Sequence, residues 1–167
     1  MNIQVKIDGQ DRKGAHDSDF ALWALEQARL LREKRFDDLD IANLWDEVQD
    51  LGQARKYELK SRLETLIEHL LKLRYGTHSY PRSGWRKTVL NTRHEISDLL
   101  EESPSLHQYL PDFFERAWRV GQNRALLGFW DHEPDRYKEY EAEIPETPIY
   151  SIEQILDDDF FPERDNA

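Results

Sequence analysis

Leu59-Lys60-Ser61-Arg62-Leu63-Glu64-Thr65-Leu66-Ile67-Glu68-His69-Leu70-Leu71-Lys72-Leu73 is the stretch that decides the fold of this chain. Leu59, Leu63, Leu66, Ile67, Leu70 and Leu73 recur at steps of three and four. That spacing gathers them into one stripe of an α-helix and leaves the charged residues on the other side. It predicts a helix from about Gln53 to Tyr75, with an apolar face that other elements must cover.

The neighbouring segments supply further helices. Upstream, Asp40 caps a helix that carries Ile41, Leu44, Trp45, Val48 and Leu51, and Gly52 ends or bends it. Before that, Asp17-Ser18-Asp19 is a capping cluster ahead of Phe20, Trp23, Leu30 and Leu31. Downstream, Gly76 to Gly84 is a loop by composition, and Ser83 caps a helix with the stripe Trp85, Val89, Thr92, Ile96, Leu99 and Leu100. Ser103-Pro104 opens a segment rich in large apolar residues, with proline at the first helical position. Pro111 divides that segment into a short turn and a helix reaching about Leu127.

These elements predict an all-α protein: a bundle of four to five amphipathic helices over residues 17–130. Residues 1–16 form an N-terminal arm, disordered or holding one short strand where Ile3, Val5 and Ile7 alternate with polar neighbours. Residues 131–167 hold few aliphatics and form an acidic, partly extended C-terminal tail. That tail has a short helix near 151–156, and Phe160 and Phe161 are available to dock on the body.

Composition bounds the function. At 167 residues one domain is expected, and the net charge of −11 argues against indiscriminate binding of nucleic acid or anionic membrane. There is no cysteine, which excludes disulfides, thiol nucleophiles and Cys-based metal centres. No signal-peptide core and no apolar run of membrane-spanning length occurs, so a soluble cytoplasmic protein is expected.

Charge is distributed unevenly. Residues 69–94 carry +6 and contain no Asp or Glu, whereas residues 131–167 carry −10. The acid-free stretch interleaves Lys72, Arg74, Arg82, Arg86, Lys87 and Arg93 with Tyr75, Tyr80 and Trp85. Such a patch on an acidic protein points to an anionic partner, either an acidic protein surface or a phosphate-bearing ligand. Nucleic acid is the alternative, with the aromatics stacking bases and the cations on phosphates. Trp85, at the head of a helix stripe, fits the core better. Arg74, Tyr80, Arg82, Arg86 and Lys87 then remain as the partner-binding set. The acidic tail, with Asp157-Asp158-Asp159, is a competitor for the patch in cis.

A second constellation is polar. Arg55, Arg62 and His69 follow at seven-residue steps along one edge of the decisive stripe, and Arg86 and Arg93 flank the next helix in the same way. Glu47, Arg62, His69, Tyr75 and Arg93 would together form a carboxylate–imidazole–guanidinium network. Such a network either fixes a helix junction or binds an anion, and a hydrolase or metal-dependent enzyme could centre on Glu47, His69 and Arg93. Glu68-His69 and His94-Glu95 lack the spaced Glu-x-x-His pattern, so no metal is expected. No nucleophile elbow and no phosphate loop is present, and no cofactor is expected.

Several segments carry a family likeness. They are Asp19-Phe20 with Trp23, Arg35-Phe36-Asp37-Asp38-Leu39-Asp40, Asn43-Leu44 through Glu47, and Asp50-Leu51-Gly52. They continue with His69-Leu70-Leu71-Lys72, Tyr75, Trp85, Arg93, Ile96, Leu99-Leu100, Ser103-Pro104-Ser105-Leu106, Ile155-Leu156 and Asp159-Phe160-Phe161-Pro162. In this order and spacing the chain, from about residue 17 to 162, resembles the bacterial family catalogued as domain of unknown function number 29. The resemblance implies a small helical protein of bacterial origin and no mechanism. Leu73-Arg74 and Gly76-Thr77 depart from the family pattern around Tyr75, so the loop there is expected to differ.

Overall fold

The computed structural model describes residues 16–77 and 82–162. The short strand considered for residues 3–7 lies outside the described residues. Among those described, the chain is all-helical and no strand occurs. The helices are α1 (Phe20–Arg32), α2 (Ile41–Tyr75), α3 (Arg82–Glu102), α4 (Leu110–His132), α5 (Tyr137–Glu143) and α6 (Ile152–Leu156). Short 3-10 segments at Phe36–Asp38, Pro104–Tyr109 and Pro134–Arg136 join some of them.

Gly52 does not end the helix: α2 runs through it for 35 residues. Glycine in a helix interior costs about 1 kcal/mol relative to alanine, which favourable neighbours and packing override. The compact units of the chain nevertheless divide close by, after Gln53.

In the first unit, the Asp19 side chain accepts from the Leu22 N–H at 3.0 Å and starts α1. The helix ends in a Schellman arrangement: Arg35 N–H donates to Leu30 O at 2.9 Å and Lys34 N–H to Leu31 O at 3.1 Å. Lys34 occupies the left-handed position, φ 57°, usually given to glycine. Trp23, Gln27 and Leu30 form the buried face of α1. Asp40 ties that face to the start of α2: its N–H donates to Gln27 Oε1 at 2.8 Å, and its carboxylate accepts from Trp23 Nε1 at 3.3 Å.

The second unit holds the main core. Leu59, Leu63, Leu66, Ile67, Leu70 and Leu73, the stripe read from the sequence, are all buried, and Leu71 joins them. Each such leucine stabilises the fold by roughly 1.5–3 kcal/mol. From α3 come Val89, Ile96, Leu99 and Leu100, and from α4 Ala117, Trp118, Ala125 and Phe129. Helices α2 and α4 approach closely at Gly121, where a Cβ would stand 2.9 Å from Ile67 Cγ2 and 3.0 Å from the backbone at Glu64 and Glu68. Only glycine permits that distance.

The acid-rich segment after residue 130 contributes to this core as far as it is described. Tyr140 stacks on Phe129 at 4.2 Å, and Tyr140, Ile144 and Ile155 are buried. Two buried side chains of α4 hold the following backbone: Trp118 Nε1 donates to Pro145 O at 3.0 Å and Gln122 Nε2 to Ile144 O at 3.1 Å. Ser151 caps α6 in a capping box with Gln154.

Pro111 sits in the first turn of α4, which extends to His132 rather than stopping near Leu127. Ser103 precedes the 3-10 turn as expected, although its side chain makes no cap hydrogen bond. Ser83 does not cap α3; it lies inside the first turn of a helix that already begins at Arg82.

Candidate interaction surfaces

The acid-free stretch contributes the last turns of α2 and the first three turns of α3, and most of its polar side chains have structural partners. His69 Nδ1 donates to Thr65 O at 2.9 Å, one turn back on its own helix. Lys72 pairs with Glu68 at 2.5 Å. Tyr75 and Trp85 pack against the core. The Trp85 ring lies so close over Gly76 that a Cβ there would stand 2.7 Å from it. Both rings are half-buried, so packing uses part of the surface that the nucleic-acid reading assigns to base stacking.

Arg93 is the residue most fully absorbed by the fold. Only 3% of its surface is exposed. Its guanidinium donates from Nε to Ile155 O at 2.8 Å, from one terminal nitrogen to Phe160 O at 2.7 Å and from the other to Asp158 O at 3.3 Å. Burial lowers its pKa, against the charges of Asp158 and Asp157, which raise it. Arg86 covers the Phe161 ring, its guanidinium carbon 3.8 Å from the centroid, with Arg93 at 5.2 Å. Two cations of the basic stretch thus hold the C-terminal segment of the same chain.

What remains outward is smaller. Lys87 is exposed, Arg86 keeps an exposed edge, and Arg82 is half-buried while donating to Gly76 O at 3.3 Å. Arg74 is half-buried at the end of α2. Tyr80 lies outside the described residues.

The polar network is dispersed among separate partners. Glu47 accepts from His16 Nε2 at 2.8 Å, Arg62 pairs with Glu95 at 2.7 Å, and Arg93 and His69 bond to the carbonyls named above. The bonds to Glu47 and Asp17 hold the His16 pKa above its ordinary value. His94 is exposed. Among the described residues no three His, Asp or Glu side chains are grouped as a metal site. No described helix is long and apolar enough to cross a membrane.

A different surface emerges on the first turns of α2. Ile41, Trp45, Val48 and Leu51 are 62%, 64%, 65% and 70% exposed, with half-buried Leu44 between them. Steps of three and four residues align them along one side of the helix. The sequence carried a signal for this surface that the acid-free stretch overshadows. From Phe36 to Ala54 there is no Lys or Arg, while Asp37, Asp38, Asp40, Asp46, Glu47 and Asp50 carry −6. One stretch of the chain is free of acids and another is free of bases.

A family model described as "Domain of unknown function DUF29" matches residues 15–161. The chain belongs to that family. The match spans α1 to α6, so it includes both the acid-free and the base-free stretch. No curated protein and no solved structure matches the chain.

Proposed function

We propose that this member of the family is an interaction module that recognises an acidic protein surface through the basic region 72–93. The observation that carries the reading is the segregation of charge. Twenty-six consecutive residues lack any acid in a chain of net charge −11, and the outward side of α3 within them presents Lys87, Arg86 and Arg82. A +6 segment acts at short range even on an acidic protein, because salt screens the distant charges beyond about 8–10 Å. Engagement of Arg86 and Arg93 by the C-terminal segment supports the same chemistry, since that segment supplies the carbonyls and acids a partner would supply.

Protein is favoured over nucleic acid because Tyr75 and Trp85 are used in packing. A centre on Glu47, His69 and Arg93 has no comparable support, each group being held by its own partner. The reading places the protein in the cytoplasm of a bacterium, with a helical-bundle scaffold beneath the surface.

The test is the double variant Arg82→Glu/Lys87→Glu, titrated against a poly-glutamate 20-mer, inorganic phosphate, short RNA and short DNA. Wild type should bind the poly-glutamate with an affinity that falls as salt rises, and the variant at least tenfold more weakly with an unchanged melting temperature. Equal binding by both proteins removes the basic region from the account. Preferential binding of RNA or DNA transfers the surface to nucleic acid.

A further inference from the structure

We propose that residues 157–162 are a strap closed over Arg86 and Arg93 of α3, and that an acidic partner binds the basic region by displacing it. The inference rests on the reading of residues 72–93 as that partner's surface and adds how access to the surface is controlled.

The structure shows what occupies this part of α3. After α6 the chain turns: Phe160 N–H donates to Asp157 O at 3.1 Å, and Asp159 N–H to the Asp157 carboxylate at 3.0 Å. The turn brings the carbonyls of Asp158 and Phe160 to the two terminal nitrogens of Arg93 and lays Phe161 against the Arg86 guanidinium. Arg86 and Arg93 are seven residues apart and share one side of the helix. With the strap lifted, that side would present two guanidinium groups, the donors best suited to carboxylates.

Two features make the strap displaceable. It gives Arg93 neutral carbonyls, and hydrogen bonds to carboxylates, which are charge-assisted at both ends, are stronger. A partner rich in carboxylates therefore replaces what the strap supplies. The strap is also separable from the core beneath it. Ile155 is fully buried, and its own carbonyl holds Arg93 Nε, so α6 keeps its seat and one bond to Arg93 when the strap leaves. Beyond α6, Asp157, Asp158 and Asp159 are exposed, Phe160 and Phe161 are half-buried, and Pro162 alone among them is buried. Segments with so few buried apolar contacts open at low free-energy cost. Burial lowers the Arg93 pKa, while the charges of Asp158 and Asp157 raise it, so strap and partner offer the same cation charge of the same sign.

The test titrates the full-length Phe161→Ala variant and wild type with the poly-glutamate peptide. The substitution keeps every charge and removes the ring from Arg86. A strap that is open in about one molecule in ten weakens the apparent affinity about tenfold, so the variant should bind at least that much more tightly, with the wild-type circular dichroism. A second measurement needs no variant: in wild type, saturating peptide should lower the amide heteronuclear NOE of residues 158–161 and leave that of Ile155 unchanged. If the folded variant binds as wild type does, or if residues 158–161 stay rigid in the saturated wild-type complex, the strap is refuted while the basic region stands. If neither protein binds the peptide, the basic region falls and the strap's regulatory role falls with it.

Discussion

The first three turns of α2 and its last five carry the same apolar period and meet opposite fates. Leu59, Leu63 and Leu66 are fully buried, whereas Trp45, Val48 and Leu51 stand mostly in solvent. The sequence pattern is equally clear in both, so the pattern says that a stripe exists and leaves open what covers it. In the later part α3, α4 and the segment after residue 130 pack on it. In the earlier part, Trp23, Gln27 and Leu30 of α1 face the Asp40 side of the helix, and among the described residues the apolar row stays exposed. The difference teaches that the same apolar period serves as core at one end of a helix and stays exposed at the other.

The comparison can be broken by equal substitutions. Leu66→Ala leaves a cavity in a fully closed site and should cost about 2–5 kcal/mol. Leu51→Ala, at a mostly exposed site, should change stability by less than about 0.5 kcal/mol. Urea midpoints at constant slope measure both, and similar losses would mean that the two ends are not different in kind.

Glycines sharpen the same contrast. Gly121→Ala drives a methyl into Ile67 and the backbone of α2 and should destabilise by about 1–3 kcal/mol. At Gly52 a Cβ meets nothing within 4 Å, so Gly52→Ala should stabilise by about 0.5–1 kcal/mol through helix propensity. Opposite shifts in melting temperature are the expected result.

The smallest effect is one of pH and belongs to the first unit. His16 bonds to Glu47 and Asp17, which raise its pKa in the folded chain. The stabilisation is therefore complete below the unfolded value near 6.5 and is lost as pH rises through the raised folded value. Wild type should lose more thermal stability than His16→Asn between pH 6 and pH 8. An imidazole that titrates at or below its ordinary value by NMR would contradict the bonding.

Periodicity made the helical class and the buried stripe of α2 legible from residues alone, as capping and first-turn rules did for Asp19 and Pro104. Three things needed tertiary structure. Gly52 resembles a stop signal, but propensity is a weak prior that packing and good helix-forming neighbours override. Glu64 falls outside the apolar stripe and is nonetheless buried, with Arg124 of α4 paired to it at 2.9 Å. Arg93 was readable as a candidate ligand donor, and its actual acceptors are carbonyls more than sixty residues away, which no local pattern encodes. The segment after residue 130 has few aliphatics, so its hydrophobic signal is faint, yet Tyr140, Ile144 and Ile155 enter the core. The base-free stretch from Phe36 to Ala54 was in plain view as the counterpart of the acid-free one. It gained meaning only once Trp45 and Val48 were seen to be exposed.

Amide hydrogen exchange along α2 tests the central claim most directly. In the free chain, amides of residues 41–51 should exchange at least about tenfold faster than those of residues 59–73. Equal protection of both parts of α2 in the free chain would contradict the account.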